Sequence, residues 1–184
     1  MNTPRVWILT HTGRRVQLDE PDPDVVCLDD IAHALARITR FTGHGHAPLS
    51  VAQHCCMVSA RCPNEAGAWG LLHDAHEAYI GDISSPMGRL IDWWAPGKLA
   101  ALKADWDTAI GLRFGVMPID VKAHDLLAMM TEVNKNGPEG MPMSEWESLN
   151  GVQPPLKGYE QVSVMSAIEA EYHYLAIARS WGIK

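Results

Sequence analysis

The chain has 184 residues, a formal net charge of −7 and a hydrophobic fraction of 47%. These values are typical of one soluble globular domain with a single core, and the negative charge argues against a broad surface for gripping nucleic-acid polymers. No apolar run is long enough to span a membrane, and the first residues lack the pattern of a secretory signal. We therefore expect a cytoplasmic protein, in which the four cysteines, none in a CxxC pair, are reduced packing residues.

The chain opens with a weak strand signal and a stronger helix signal. Loose alternation of apolar and polar residues around a glycine predicts a small β-hairpin over about 5–19. Asp29 or Asp30 can then cap a helix whose apolar face continues to about Arg40. Glycines and a proline mark the segment 41–49 as a loop.

The next two helices have clearer boundaries. Ser50 is followed three residues later by Gln53, a capping-box pattern that predicts a helix over 51–61. A second helix is predicted over about 64–80, where Gly81 is well placed to end it with a left-handed residue.

The second half of the chain continues the helical pattern. Helices are predicted over about 96–114, 119–134 and 159–181, with a short one after Ser85. Between the last two, residues 135–158 hold many glycines and prolines and are predicted to form a long irregular loop. The fold class is therefore all-α, one domain over residues 1–184 built as a bundle of six to seven helices, with a metal-binding core expected within 28–135.

The stretch LLHDAHEAYIGD, residues 71–82, carries the strongest chemical signal. His73 and Asp74 stand side by side among apolar helical residues, where an unpaired carboxylate is costly. Such a carboxylate must be exposed, paired or bound to a metal, and a core histidine beside a salt-bridged aspartate is the simplest alternative. Glu77 lies one turn further on the same face.

Three separate predicted helices each place a potential metal ligand within an apolar pattern. These ligands are His54, His73 with Asp74, and Asp125. Two imidazoles with two carboxylates suit a divalent transition metal such as Mn, Fe, Co, Ni or Zn, whereas oxygen ligands alone would indicate Mg or Ca.

These residues carry a resemblance to a known family. The order His54, then His73-Asp74, then Asp125 resembles the H…HD…D tetrad of HD-domain metal-dependent phosphohydrolases. HDAHEAYIGD resembles the HDxxExxxGD segment of the YfbR-type 5′-deoxynucleotidases. DIAHALARITRFTGH with SVAQH resembles the short branch that includes the DatZ-type dATP triphosphohydrolases. Together these stretches cover roughly residues 25–135.

The resemblance implies an HD-domain helical bundle and a role for each matched residue. The implied ligands of the divalent metal are His54, His73, Asp74 and Asp125. Glu77 matches the acidic residue that assists the attacking water, and Asp82 matches one at the floor of the nucleotide site. Arg40 would hold a phosphate, and Phe41 would stack on base or sugar. Lys122, one turn before Asp125, would contact phosphate.

The loop after Phe41 departs from the short branch. That branch carries a basic and an aromatic residue there, whereas this chain reads GHAPLS. His44 and His46 are the candidates to supply positive charge or hydrogen bonds to substrate instead.

The resemblance favours a deoxynucleoside triphosphate triphosphohydrolase acting on dATP, as would suit a phage that avoids adenine in its DNA. The alternatives are a 5′-deoxynucleotidase for dNMPs and a non-catalytic HD module that senses nucleotide or metal. The partners expected are a small deoxynucleotide and further copies of the chain, as a dimer or hexamer, because apolar residues cover much of the last helix. No nucleic-acid polymer and no membrane are expected.

Three further features have two interpretations each. Glu132 shares the helix face of Asp125 and is either a partner of the ligand set or part of a surface salt bridge. His76 either partners Glu77 or acts at the metal, as a support of the ligands or as a ligand itself. Trp93 and Trp94 form either a lid or, as aromatic pairs usually do, part of a core or interface.

Overall fold

The computed structural model describes residues 6–137 and 163–184 and is mostly helical with a small N-terminal hairpin, as predicted. Strands β1 (Trp7–Leu9) and β2 (Arg15–Gln17) pair antiparallel, with Ile8 opposite Val16. The helices are α1 (Leu28–Leu35), α2 (Val51–Arg61), α3 (Ala66–Leu72), α4 (Glu77–Ile80), α5 (Ser85–Trp94), α6 (Lys98–Phe114), α7 (Lys122–Asn136) and α8 (Ala167–Ser180). A short 3₁₀ segment, Arg40–Gly43, lies between α1 and α2.

The start and end of α1 differ from the prediction. Neither aspartate caps the helix, because Cys27 is the N-cap and makes no side-chain hydrogen bond. Asp30 is instead buried and accepts hydrogen bonds from the backbone N–H and hydroxyl of Thr12, at 2.7 and 2.9 Å, which join the hairpin to α1. The helix ends at Leu35 rather than near Arg40, since the chain beyond it forms an antiparallel bridge between Thr39 and Ser50.

Helix α2 begins as predicted and lies at the centre of the bundle. The Ser50 hydroxyl accepts the Gln53 N–H at 3.3 Å, which confirms the cap. The Gln53 side chain does not return to the cap. It donates to the Ser163 carbonyl at 2.8 Å and accepts the Met165 N–H at 3.2 Å, so that it ties the segment before α8 to α2.

The predicted helix over 64–80 is divided into α3 and α4. Between them the backbone makes hydrogen bonds of the 3₁₀ type, which join residues three apart. They run from Ala75 N to Leu72 O at 2.8 Å and from Glu77 N to Asp74 O at 3.0 Å. Such a stretch within a helix is typical of functional positions. Gly81 ends α4 as predicted and has a positive φ of 81°, which glycine adopts without strain, but its ψ of 160° lies outside the left-handed helical region that was expected.

The C-terminal helix begins later than predicted. It starts at Ala167, because Ser166 and Glu169 form a full capping box at its N-terminus. Helix α7 extends to Asn136, two residues into the predicted irregular loop, and the rest of that loop over 138–158 lies outside the described residues.

The core lies where α1, α2, α3 and α8 meet, and Trp106 of α6 and Tyr174 of α8 are fully buried within it. The Tyr174 hydroxyl donates to Leu71 O at 3.0 Å, and Trp106 Nε1 donates to Leu18 O at 3.1 Å. All four cysteines are free thiols. None of the described helices combines the length and the apolar character that a membrane crossing requires.

Helix α5 contributes no buried residue to this core. Trp93 and Trp94 are 77% and 67% exposed, so their interpretation as core residues is wrong.

Candidate metal centre

The bundle brings two of the predicted ligand histidines together with an aspartate. His54 is fully buried in the middle of α2, and His73 and Asp74 lie on the tight turn between α3 and α4. The donor atoms of His54, His73 and Asp74 all lie within 4.8 Å of one another. We call these three residues the histidine cluster. It could hold a metal ion.

Asp125 adjoins the histidine cluster from α7. Its Oδ1 lies 3.2 Å from His54 Nε2, while Asp74 Oδ2 lies 3.6 Å from the same nitrogen and 3.1 Å from His73 Nε2. The four residues predicted as ligands are therefore neighbours in space, although they come from three different parts of the chain.

Each histidine is held through Nδ1, and its Nε2 points into the cluster. His54 Nδ1 lies 2.7 Å from Glu132 Oε1, and His73 Nδ1 lies 2.9 Å from the Gly70 carbonyl. Because a carbonyl only accepts, His73 Nδ1 must carry a hydrogen. Both Nε2 atoms are buried and make no hydrogen bond of good geometry within the described chain, but each lies at ion-pair distance from a carboxylate oxygen, His54 from Asp125 and His73 from Asp74. A histidine fixed through one nitrogen by a carboxylate or carbonyl, with the other nitrogen available, is the usual arrangement of a metal ligand.

The close packing of α3 on α2 makes this arrangement possible. A Cβ on Gly70 would come within 2.9 Å of Cys62 Sγ and 3.1 Å of Ser59 Cα. Glycine therefore lets α3 approach α2, and its carbonyl then orients His73.

Glu132 supports the cluster from α7. It is fully buried, and it accepts a hydrogen bond from Arg40 Nε at 3.1 Å on its second oxygen. Of the two interpretations of Glu132, partnership with the ligand set is confirmed. Burial alone would lower the pKa of the Arg40 guanidinium, but the negative charge of Glu132, with smaller contributions from the site's other carboxylates, raises it.

In the absence of a cation, protons balance the carboxylates. Burial would lower the pKa of His54, and so would Arg40, but Glu132 and Asp125 raise it to about 9. Burial would likewise lower the pKa of His73, and the charge of Asp74 raises it to about 10. The pKa of Asp74 is held well below its usual value, mainly by His73 against the opposing effect of burial. The carboxylates around His54 and His73 therefore favour positive charge at the histidine cluster.

Glu77 and Asp82 lie beside the histidine cluster. Glu77 is 4% exposed, and its Oε2 is buried with no hydrogen-bond partner among the described residues. Burial, followed by the charges of Asp74 and Asp82, raises the pKa of Glu77 to about 10. Burial also raises the pKa of Asp82, while Arg40 opposes it. Both carboxyls would be stabilised as anions by an added cation.

His76 bonds to Asp107 rather than to Glu77. Its Nδ1 lies 2.9 Å from Asp107 Oδ1 on α6, and its Nε2 is buried without a hydrogen-bond partner among the described residues. The interpretation of His76 as the partner of Glu77 is therefore wrong.

Of the residues predicted to bind substrate, Arg40 is largely buried against Glu132, whereas Lys122, His44 and His46 are exposed. Lys122 Nζ lies 2.7 Å from Asp125 Oδ2, and the Lys122 side chain is 66% exposed. Phe41 and Thr42 have φ values of 58° and 54°, which is a strained conformation for a β-branched residue such as Thr42. His44 and His46 are exposed on the loop that follows.

This loop is fastened to the C-terminal end of α7. Asn136 accepts the Ala47 N–H and donates to the Ala47 carbonyl, each at 2.7 Å, and its own carbonyl accepts the His46 N–H at 3.1 Å. The roles of Arg40, Phe41, His44, His46 and Lys122 in binding substrate stay predictions.

Three contributors to the site were missed from the sequence: Gly70, Asp107 and Asn136. Gly70 acts through its carbonyl, which no side-chain pattern reveals. Asp107 is 31 residues from His76 and Asn136 is 89 residues from Ala47, so only the packing of the helices brings these pairs together.

Two relatives share much of this chain. It is 33% identical over 149 residues to "Uncharacterized protein YfdR" of Escherichia coli (strain K12), and the match covers 79% of this chain and 80% of that protein. It is 36% identical over 131 residues to "Uncharacterized protein RCAP_rcc00048" of Rhodobacter capsulatus, which covers 64% of each. No protein-family model matches the chain. The extent of the first match shows that the chain belongs to the same family as Escherichia coli YfdR.

Proposed function

We propose that this protein is a metal-dependent phosphohydrolase of the HD type that acts on 2′-deoxynucleotides. The observation that carries the proposal is the pair of histidines, each held through Nδ1, whose buried Nε2 atoms both point at the carboxylates of Asp74 and Asp125. The resemblance of HDAHEAYIGD to the deoxynucleotidase segment supplies the substrate class.

The donor set favours a divalent transition metal, Co, Mn, Zn, Fe or Ni, held by His54, His73, Asp74 and Asp125. Bound there, the ion would polarise a phosphate oxygen and lower the pKa of a water molecule. The fully buried pair of Glu132 and His54 keeps one imidazole in place for this purpose.

Glu77 is the residue proposed to orient the attacking water and receive its proton. Its carboxyl lies one turn beyond Asp74, is almost fully buried, and keeps one oxygen without a hydrogen-bond partner among the described residues. Positive charge in the histidine cluster would offset Asp74, whose charge contributes to the raised pKa of Glu77. The carboxylate form that can accept a proton would then be restored. Asp82 is proposed to hold the sugar hydroxyl or a water at the floor of the site.

The reaction proposed first is hydrolysis of dATP to deoxyadenosine and tripolyphosphate. Water attacks the α-phosphorus, the bond from that phosphorus to the 5′ oxygen breaks, and the 5′ oxygen takes up a proton. Arg40 and Lys122 would neutralise charge on the phosphates. Phe41, His44 and His46 would contact base, sugar or phosphate from the strained loop.

A 5′-deoxynucleotidase is the alternative enzyme, and a sensing module is the alternative outside enzymes. The nucleotidase would use the same cluster and release inorganic phosphate from a dNMP. A cytoplasmic homo-oligomer, dimer or hexamer, is proposed with either activity. Ile168 and Tyr172 on α8 support self-association, because their side chains are 75% and 70% exposed.

Product analysis tests the proposal. The protein, loaded with Co²⁺ or Mn²⁺, is incubated separately with dATP, dAMP, dGTP and dGMP, and the products are resolved by ion-pair chromatography. Formation of deoxyadenosine and tripolyphosphate from dATP would support the triphosphohydrolase. Turnover of dAMP alone would assign the protein to the nucleotidase class. Absence of all turnover in metal-loaded protein would contradict both and favour the sensor.

Two variants make the result specific to the site. Glu77→Gln should keep the ion bound by the histidine cluster and lose about 100-fold or more of the turnover, the usual size of a general-base contribution. His173→Ala is the matched control, because His173 is exposed on α8 away from the cluster.

A further inference from the structure

We propose a second cation site beside the first, formed by Asp74, His76 and Glu77, with Asp74 shared between the two. The site itself follows from the geometry of the described residues. Its role in a reaction rests on the proposed function.

The three side chains converge on one point. One donor atom each from Asp74, His76 and Glu77 lies within 4.8 Å of the other two. His76 and Glu77 are each only 4% exposed. Three residues that offer two carboxylates and one imidazole can surround an ion of radius typical for divalent metals.

Two atoms of these side chains have no hydrogen-bond partner in the described parts of the chain. They are His76 Nε2 and Glu77 Oε2, both buried. Leaving a buried polar atom without a hydrogen bond is unfavourable, so two of them on adjacent residues need an explanation. A cation that binds both atoms would supply it.

The ring of His76 is held by a carboxylate in the same way as the ring of His54. Asp107 holds His76 Nδ1 at 2.9 Å, as Glu132 holds His54 Nδ1 at 2.7 Å. In both cases a carboxylate from another helix fixes the ring through one nitrogen and leaves Nε2 for a ligand. A histidine that served packing alone would not need this orientation together with an unsatisfied Nε2.

The chemistry of the second site differs from that of the first. It offers mostly oxygen, with Asp82 adding a nearby negative charge that acts on Glu77. Lys103 and Arg40 are the cations whose charges reach the same carboxyl. Oxygen-rich donors with one imidazole favour Mn²⁺ over softer ions. Two ions that share Asp74 would bind one phosphate from two sides.

Manganese titration followed by electron paramagnetic resonance tests this proposal without any substrate. Apoprotein is titrated with Mn²⁺, and free and bound ion are counted at each step. We expect two Mn²⁺ per chain, with the spectrum of a spin-coupled pair once both sites fill. His76→Ala should bind one Mn²⁺ and lose the coupled signal, while His173→Ala should match the wild type.

Asp107→Asn gives a milder version of the same test. It leaves all three proposed ligands in place but removes the charge that orients His76, so the second ion should bind about 10- to 100-fold more weakly. The first ion should bind unchanged.

The outcomes separate the two proposals. A single Mn²⁺ in the wild-type protein, with His76→Ala identical to it, would overturn the second site and leave the proposed function intact. No bound Mn²⁺, Co²⁺ or Zn²⁺ in the wild type would overturn both. Because the stoichiometry of the wild type is decisive alone, a variant that fails to fold does not affect the result.

Discussion

The histidine cluster and the loop beside it are built in opposite ways. In the cluster, His54 of α2 is fully buried, His73 and Asp74 on the α3–α4 turn are mostly buried, and each histidine is fixed by a named partner. In the loop, His44 and His46 are exposed, and the segment is held through backbone bonds to Asn136.

This difference separates two kinds of function. A site fixed by core packing keeps a constant geometry, as binding a metal demands. A loop held by its backbone can change side chains without disturbing the core, as substrate preference demands. We therefore expect changes in the cluster to abolish metal binding and changes around the loop to alter which substrate is used.

The largest expected effect follows removal of a cluster histidine. His54→Ala removes one proposed ligand and leaves Glu132 buried without its imidazole partner, so the purified variant should lose the transition metal bound at the histidine cluster and show no turnover. Metal content by plasma mass spectrometry checks this, with His173→Ala as the control. Full metal occupancy in His54→Ala would show that the ion binds elsewhere.

The pH dependence of metal binding is the next largest effect. Because the pKa values of His54 and His73 are raised to about 9 and about 10, both rings hold protons at neutral pH that a metal must displace. Affinity should therefore rise with pH between 6 and 8, by between about 10- and 100-fold per pH unit for one or two protons released. Chelator competition at several pH values measures it, and an affinity independent of pH would contradict the account.

Glu132→Gln tests the contribution of the buried Glu132 carboxylate, which holds His54 and Arg40. The amide can still accept from His54, but Arg40 loses its buried counter-charge. Metal affinity should fall about 10- to 100-fold, and the free energy of unfolding should drop by about 3–5 kcal/mol. Chelator competition and denaturant unfolding measure the two effects. Glu65→Gln, at an exposed glutamate, is the control and should change neither.

Lys122→Ala should have the smallest effect on the fold and a selective effect on substrate. Its ion pair with Asp125 lies at the surface, so stability should change by less than about 1 kcal/mol. The metal content should stay the same. If Lys122 contacts phosphate, KM for dATP should rise more than KM for dAMP. An equal change for both substrates would argue against a polyphosphate contact.

The sequence predicted the helical fold and the proximity of the ligand set, because apolar periodicity marks buried faces and ionisable residues within them are rare. It did not predict the division of the 64–80 helix. The backbone hydrogen bonds of Ala75 and Glu77 span three residues instead of four, and the apolar periodicity does not reveal such a local change. It also missed Asp107, which meets His76 only after α6 folds against the α3–α4 turn. Glu132 was recognisable as a candidate by its spacing from Asp125, but only its complete burial shows which partner it has.

The most direct test of the central claim is anomalous X-ray diffraction from crystals of the protein loaded with Zn²⁺ or Co²⁺. We predict a strong anomalous peak bound by His54 Nε2 and His73 Nε2 at about 2.0–2.1 Å, with Asp74 and Asp125 completing the coordination. No peak at these nitrogens in crystals that contain the metal would contradict the assignment of the histidine cluster as a metal centre.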